Sequence, residues 1–283
     1  MKILVTGANG YLGQGIVHLD DGHTVIAADF KTDHVDDRAV KKDCNMFAIE
    51  NPYEYFEEPD VVLHLAWRDG FVHNSPAHLE DLPKHFAFLK TMVESGVSRI
   101  AVMGSMHEIG FYEGSINENT ACHPATLYGI AKNALREASE WLAAQNKATL
   151  QWLRGYYIVG NSQYGSSIFS KITAAANEGK TEFPFTMGQN QYDFIDYGDF
   201  CLQVASAVEQ DMLTTLEVCY EFYLRGFTFD RMDLYKSEAI HFTMDEERGT
   251  LRPPFVSVAG LGDTAAISLA EQVKGKRFIS IEE

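Results

Sequence analysis

The chain has 283 residues, 46% of them apolar, enough to bury a sizeable core in one large α/β domain or in a domain with a small appendage. With 23 Lys and Arg against 40 Asp and Glu it carries a formal charge of −17, a field that repels polyphosphate backbones. General binding to nucleic acid or to an anionic membrane is therefore disfavoured, although a local pocket can still take a small anion. The four cysteines, Cys44, Cys122, Cys201 and Cys219, make no CxxC pair, so neither a zinc ribbon nor a disulfide scaffold is indicated and no metal is expected. No apolar run reaches the length of a membrane span and no signal-peptide pattern opens the chain, which together predict a cytoplasmic protein with reduced thiols.

In chain order, 2–6 (KILVT) is an apolar run of strand length, and glycines follow it at once. Residues 11–19 read as a helix, 24–28 (TVIAA) as a second strand ended by Asp29, and 60–65 (DVVLHL) as a third. Apolar residues at helical spacing fill 79–95, with Gly96 as the stop. Then come a buried-strand candidate at 98–103, a long helix over 124–145 and a strand at 149–153. Strands alternating with helices, without hairpin signals, predict βαβ units and a doubly wound parallel sheet with ligands at the carboxyl ends of its strands. Beyond about 155 the pattern loosens: 167–177 and 197–209 look helical, 181–185 reads as a short strand, and no clean period survives past 210. The expected organisation is a dinucleotide-binding domain over 1–160 that carries the catalytic helix, and a smaller substrate lobe over 161–283, interleaved with it at the edges.

Gly7, Gly10 and Gly13 form GANGYLG directly after the first strand. Such a turn needs glycine dihedrals, lets the backbone approach a pyrophosphate, and aims a helix N-terminus at it. Taken alone the triplet is also an ordinary tight turn, but a strand precedes it, a helix follows, and Asp29 ends the second strand. A carboxylate there accepts hydrogen bonds from a ribose diol and repels a 2′-phosphate, which favours NAD over NADP; a turn or helix cap would use the same residue. The spacing is GxxGxxG, and TGANGYLG resembles the opening of the short-chain dehydrogenase/reductase superfamily, especially its extended branch of nucleotide-sugar epimerases, dehydratases and reductases. That resemblance implies a Rossmann-type sheet with NAD bound by Gly7, Asn9, Gly10, Tyr11, Leu12 and Gly13. It also implies that Asp43 and Cys44 contact adenine, that Leu65 and Ala66 of the HLA segment beside His64 line the cofactor, and that Tyr156 does so from the far side. Read plainly, His64 is a buried strand histidine.

Tyr128-Gly-Ile-Ala-Lys132 places a phenol and an ammonium one helical turn apart on one face. A free phenol, with a pKa near 10, is a poor base. A neighbouring ammonium, and a positive nicotinamide, should favour the phenolate, which then exchanges a proton with a sugar hydroxyl during hydride transfer. The spacing alone is common by chance; its position after the strand at 98–103, in a dinucleotide-type sequence, gives it weight. By resemblance Ser105 is the family's catalytic Ser or Thr and orients the reacting oxygen. Dehydratase members follow that residue with a carboxylate pair, whereas this chain has Met106 and His107, which argues against a 4,6-dehydratase. In epimerase-reductases of the GDP-fucose synthase kind a second acid/base stands at the His107 position; a hydrogen-bonded loop histidine is the plainer reading. Glu108 reads as structural.

On the substrate side, 153–160 (LRGYYIVG) resembles the family's LRPFNVYG, with Tyr157 where a substrate-contacting Asn stands. Residues 191–199 resemble its RDFIYVDD segment, with Tyr192 where an Arg often grips the diphosphate. Arg252 in LRPPF matches a later RP motif and would supply a diphosphate contact, unless it is a surface arginine. The resemblance covers about 1–205 and is faint beyond 210. It implies an NAD-dependent enzyme acting on a sugar or nucleotide sugar, a 4-epimerase or 4-keto reductase in preference to a dehydratase. Two alternatives stand beside it. SMHEIGFY is similar to the catalytic-serine segment of uronate dehydrogenases, which act on free sugar acids, and atypical superfamily members are non-catalytic dinucleotide sensors. The two long helices resemble the pair that forms a dimer interface in this family, which implies a homodimer through Phe86, Leu89, Met92 and Val93 on one and Ala131, Leu135, Ala138 and Leu142 on the other.

Overall fold

Continuous apolar runs, without the alternation of a half-exposed strand, become the central strands of a parallel sheet covered on both faces. In the computed structural model these are β1 (Lys2–Thr6), β2 (Thr24–Asp29), β4 (Val61–His64) and β5 (Arg99–Ser105), with the short β3 (Val40–Asp43) at one edge and β6 (Thr149–Gly155) at the other. The strand order is β3-β2-β1-β4-β5-β6, all parallel. Order reverses between β1 and β4, so their carboxyl ends flank the crevice where doubly wound sheets bind ligands. The structure describes all residues except 18–21, 115, 118–119, 161–167, 185–193, 210–227, 246–247, 259–260 and 275–283.

The first of two compact units is Met1–Glu209. It contains the sheet and α1 (Tyr11–Ile16), α2 (Pro52–Tyr55), α3 (Ala77–Ser95), α4 (Leu127–Asn146), α5 (Ile168–Asn177) and α6 (Tyr197–Glu209). A two-stranded parallel pair, β7 (Tyr157–Val159) with β8 (Phe194–Asp196), completes it. On one face of the sheet Ile16 and Val17 at the α1 end join Cys201, Val204 and Val208 of α6 over Ile3, Val5 and Leu63. On the other, Phe88, Leu89, Met92 and Val93 of α3 and Leu135 and Leu142 of α4 pack over Leu4, Val62, Ile100 and Val102. Leu89, Met92, Ala131 and Leu135 are fully buried within this chain. The residues expected to form a dimer face are largely the ones that cover the chain's own sheet.

The second unit is Gln210–Glu283, so the break falls at 209/210 rather than at 160, and α5, β8 and α6 belong with the first sheet's unit. It holds β9 (Thr228–Phe229), β10 (Thr243–Asp245), β11 (Thr250–Arg252) and α7 (Asp263–Val273). β10 and β11 pair antiparallel and β9 runs parallel to β11. The strand expected at 181–185 is not formed over 181–184; the long helix starts at Leu127, not 124, because Thr126 caps it through the Gly129 amide at 3.1 Å. Among the described residues no helix is long and apolar enough to cross a membrane.

Candidate active site

The turn between β1 and α1 is built by close approach. Gly7 has φ +68°, and a Cβ there would lie 2.6 Å from the Ala66 backbone nitrogen. A Cβ on Gly13 would lie 2.4 Å from the Gly7 carbonyl oxygen, so the first turn of α1 rests directly on the loop. The Gly10 amide donates to the Gly7 carbonyl at 3.0 Å. Side chains are excluded here because backbone must come close to something, and the Gly7 turn and the β4 end at Leu65 and Ala66 meet at that point. Tyr11 instead turns away: its hydroxyl donates to the Gly160 carbonyl at 2.9 Å, its own carbonyl accepts from Tyr197, and burial pushes its phenol up to about 12. Leu12 is partly buried against the core below the turn.

Asp29 stands where β2 ends. One carboxylate oxygen accepts the Asn9 amide at 3.0 Å and the other the Phe30 amide at 2.7 Å. The Asn9 side chain in turn accepts the His34 amide at 2.9 Å, so glycine loop and β2 end are laced together. Asp43 lies in register beside Asp29 and accepts the Thr32 hydroxyl at 2.6 Å, the chief cause that holds its carboxyl below the usual range. The Cys44 amide donates to the Asp29 carbonyl at 2.8 Å, and burial, with Asp29 nearby, raises its thiol. Asp29, Asp43 and Cys44 thus share one edge of the crevice.

Ser105 ends β5 and caps a short 3-10 turn, Met106–Glu108. The Ser105 hydroxyl accepts the His107 amide at 3.3 Å, and Glu108 reaches back to accept the Ser105 amide at 2.6 Å, a reciprocal cap. Glu108 is fully buried and also accepts from the Trp152 indole at 2.8 Å and from Arg154 at 2.9 Å. It is structural, as its sequence position suggested. Gly129 lets α4 approach this turn, since a Cβ there would sit 2.2 Å from the His107 carbonyl oxygen. Tyr128, one residue earlier, has its phenol lowered by the Ser105 side chain beside it, but burial outweighs this and the net shift is upward. Lys132 is buried, donates to the Met103 carbonyl at 2.6 Å, and lies 4.0 Å from the Trp67 ring centre. Desolvation lowers its ammonium to about 7, with Glu108 opposing. The expected lowering of the phenol by Lys132 is therefore absent here: the ammonium is 6.0 Å from the Tyr128 ring centre and spends its charge on Met103 and Trp67.

A shell of rings around Tyr128 had no sequence signal, because the loop after β4 brings it in. The Tyr128 amide donates to the His73 carbonyl at 2.9 Å and the Leu127 amide to the Asn74 side chain at 3.2 Å, so that loop caps α4. His73 and His107 have ring centres 4.1 Å apart, and His107 lies 5.6 Å from the Tyr128 ring. Burial, then His73, lowers His107, which is neutral at neutral pH. Trp67 stacks on His85 at 4.4 Å and donates to His78 at 3.0 Å. Beneath them, His64 bonds Thr6 and His85 at 2.8 Å each, and burial holds His64 well below its usual value and His85 at about 3. His64 is a buried strand histidine.

Ser105, Met106, His107, Tyr128 and Lys132 thus converge at the β5 and α4 ends, across the sheet from the glycine turn and Asp29. Tyr156, its phenol raised by burial, and Tyr157 follow β6, the latter paired with Phe194 across β7 and β8. Tyr192 lies outside the described residues. Arg252 is in the second unit, where it donates to Asp230 at 2.8 Å.

Residues 3–215 match the NAD dependent epimerase/dehydratase family. The chain belongs to that family. It is 39% identical over 216 residues to a dTDP-6-deoxy-L-talose 4-dehydrogenase (NAD(+)) of Aggregatibacter actinomycetemcomitans, covering 74% of this chain and 80% of the relative. Among solved structures it resembles a UDP-glucose 4-epimerase of Thermotoga maritima (TM-score 0.65, 22% identity, 74% of each chain). It also resembles a UDP-glucuronic acid 4-epimerase of Bacillus cereus (TM-score 0.65, 19% identity, 75% of each chain). These two likenesses show the fold. A different match is 45% identical over 78 residues to DNA polymerase III PolC-type of Clostridium perfringens, covering 28% of this chain and 5% of that protein.

Family membership makes this an NAD-dependent enzyme of the epimerase and oxidoreductase type. The residues fit that cofactor: a turn in which Cβ atoms would collide leaves backbone free to face a pyrophosphate, and Asp29 at the β2 end suits a ribose diol.

Proposed function

We propose that this enzyme interconverts a hydroxyl and a ketone at the 4-position of a nucleotide-linked sugar, as a 4-keto reductase, 4-dehydrogenase or 4-epimerase. The observation that carries the reading is the placing of Ser105 at the end of β5 beside Tyr128 at the start of α4, with Lys132 one turn further along that helix, at the edge of an NAD-type crevice. The 39% identical relative is named for 4-dehydrogenation of a dTDP-sugar, which supports the 4-position and the diphosphonucleoside. Met106 and His107 put no carboxylate pair after Ser105, which weighs against water elimination.

NAD supplies the hydride acceptor or donor. The chain's own residues manage the proton and the geometry. Ser105, held by the Glu108 cap, orients the sugar oxygen toward Tyr128. In the oxidative direction Tyr128 must first be the phenolate; its oxygen then takes the sugar O–H proton while the C–H bond would give its hydride to NAD, leaving a ketone, and reduction runs the same atoms in reverse. Burial raises the phenol, so in the ligand-free protein Tyr128 is protonated and set up as the acid of ketone reduction. Lys132 holds the ribose and, once drawn away from Met103 and Trp67, sets the phenol's acidity. Neutral His107, beside His73, is the second group able to exchange a proton at the sugar. Asn9, Gly10, Leu65, Ala66, Asp43, Cys44 and Tyr156 complete the cofactor side of the proposal, and Tyr157 and Tyr192 the sugar side.

The test is product analysis with purified protein, NAD or NADH, and UDP-, dTDP- and GDP-linked sugars and their 4-keto forms beside free uronates. Turnover confined to nucleotide sugars supports the reading. NADH formed only on free uronates replaces it with a sugar-acid dehydrogenase, and NAD binding without turnover on any arm leaves a dinucleotide sensor.

A further inference from the structure

We infer that residues 210–283 are a module of separate descent, related to C-type DNA polymerase III and joined to the epimerase-family unit, and that the NAD site is complete without them. The inference rests on the NAD-dependent family assignment, not on the sugar reading.

The matched lengths add up to about the whole chain. The talose dehydrogenase match takes 74% of it and the polymerase matches take 27% or 28%, so the two shares account for the chain about once over. Polymerases of several bacteria match 76 to 79 residues each, at 43% to 46% identity. The family match stops at 215, the compact units divide at 209/210, and the 74 residues that remain are a few short of the 76 to 79 that the polymerase matches span. Two solved epimerases leave a quarter of their own length, and a quarter of this chain, without counterpart.

The second unit has the means to fold on its own. Phe255, Ala266 and Val273 of this unit are buried, and Ala266 has no exposed surface. Asp230 gathers Arg252 at 2.8 Å and the Thr250 hydroxyl at 3.1 Å, while its amide donates to the Leu251 carbonyl at 2.8 Å, tying β9 to β11. The Phe255 and Val256 amides donate to the Glu238 and Ala239 carbonyls at 2.8 and 3.0 Å, closing the chain between the strands and α7. Arg252, half of an ion pair with both side chains largely buried, is committed inside this unit. With thirteen acidic against eight basic side chains over 210–283, the module gives a phosphate backbone no electrostatic hold. The inference is therefore one of descent and independent folding, and DNA binding forms no part of it.

Calorimetry of the intact chain tests it. Two unfolding transitions are expected, with NAD raising the midpoint of one by several degrees and leaving the other unmoved. Ala266→Asp, which places a carboxylate in the second unit's core, should abolish the unmoved transition and leave the NAD-shifted one in place. A single cooperative transition, or loss of the NAD response in A266D, would overturn the inference. Absence of turnover on every sugar would sink the sugar reading while leaving both calorimetric results as they are.

Discussion

Glu108 accepts the backbone amide of Ser105 at 2.6 Å, so a buried carboxylate fixes the end of β5 from which the Ser105 hydroxyl projects. It is wholly buried and balances Arg154 while accepting from Trp152. Removing it strands a guanidinium and an indole N–H. Glu108→Ala should cost about 3–5 kcal/mol of stability, the penalty of breaking a buried pair from one side. Glu108→Gln, which keeps part of the hydrogen bonding, should cost less while still lowering turnover through misplaced Ser105. Urea unfolding and initial rates measure the two effects; an E108A protein as stable as the parent would contradict the positioning role.

Lys132 has its ammonium lowered from 10.5 to about 7 by desolvation. Between about 7 and 10.5 the unfolded chain holds a proton that the folded chain has lost, so stability contributed by this group rises with pH across that window and its penalty is fully present below it. Lys132→Met keeps the buried stem and removes the charge. The variant should lose that rise, match or exceed the parent's stability at pH 7, and bind NAD at least tenfold more weakly. Thermal midpoints from pH 6.5 to 9 with a fluorescence titration of NAD read both; unchanged NAD affinity would remove Lys132 from the cofactor site.

The buried His64–His85 pair is neutral in the fold, with His85 at about 3. Here too the unfolded chain binds more protons, now between about 3 and 6.5, so stability falls as pH drops through that window. His85→Gln, which can still partner His64, should flatten the loss between pH 6.5 and 4.5. Equal slopes in parent and variant would show that other groups set the acid limb.

Gly13 touches the Gly7 carbonyl so closely that any side chain must push helix and loop apart. Gly13→Val should abolish measurable NAD binding, whereas Asp29→Ala should weaken NAD about tenfold and narrow its preference over NADP, since the carboxylate that opposes a 2′-phosphate is gone. Titration with both dinucleotides tests this. An unaltered NAD:NADP ratio in D29A would make Asp29 only the fastener of Asn9 that its 3.0 Å hydrogen bond also describes.

The central strands β1, β2, β4 and β5 were legible because each centres on a continuous apolar run, and three to seven consecutive buried positions leave little choice. β3, VKKD, was not, since two lysines at a sheet edge carry neither period nor burial. Helix α4 began three residues late because Thr126, not Pro124, supplies the cap. Ser105, Tyr128 and Lys132 could be read from spacing and resemblance, and the glycine turn from its position after β1. Trp67, His73 and Asn74 could not, because they reach α4 through tertiary contacts of the loop after β4. The apolar faces of α3 and α4 were visible as faces, but sequence alone does not say whether a helix turns its face to its own sheet or to another subunit; Leu89 and Leu135 turn theirs to the sheet. The resemblance turns faint past 210, where the compact units divide.

The most direct measurement is nicotinamide absorbance with the parent and Tyr128→Phe side by side, on NAD with dTDP- and UDP-linked sugars and on NADH with their 4-keto forms. The parent should turn over at least one nucleotide-linked sugar. Y128F should lose about 10²–10⁴-fold in rate, the usual share of general acid–base catalysis, while binding NAD as before. Undiminished turnover in Y128F, or turnover by the parent on free sugar acids alone, would contradict the account.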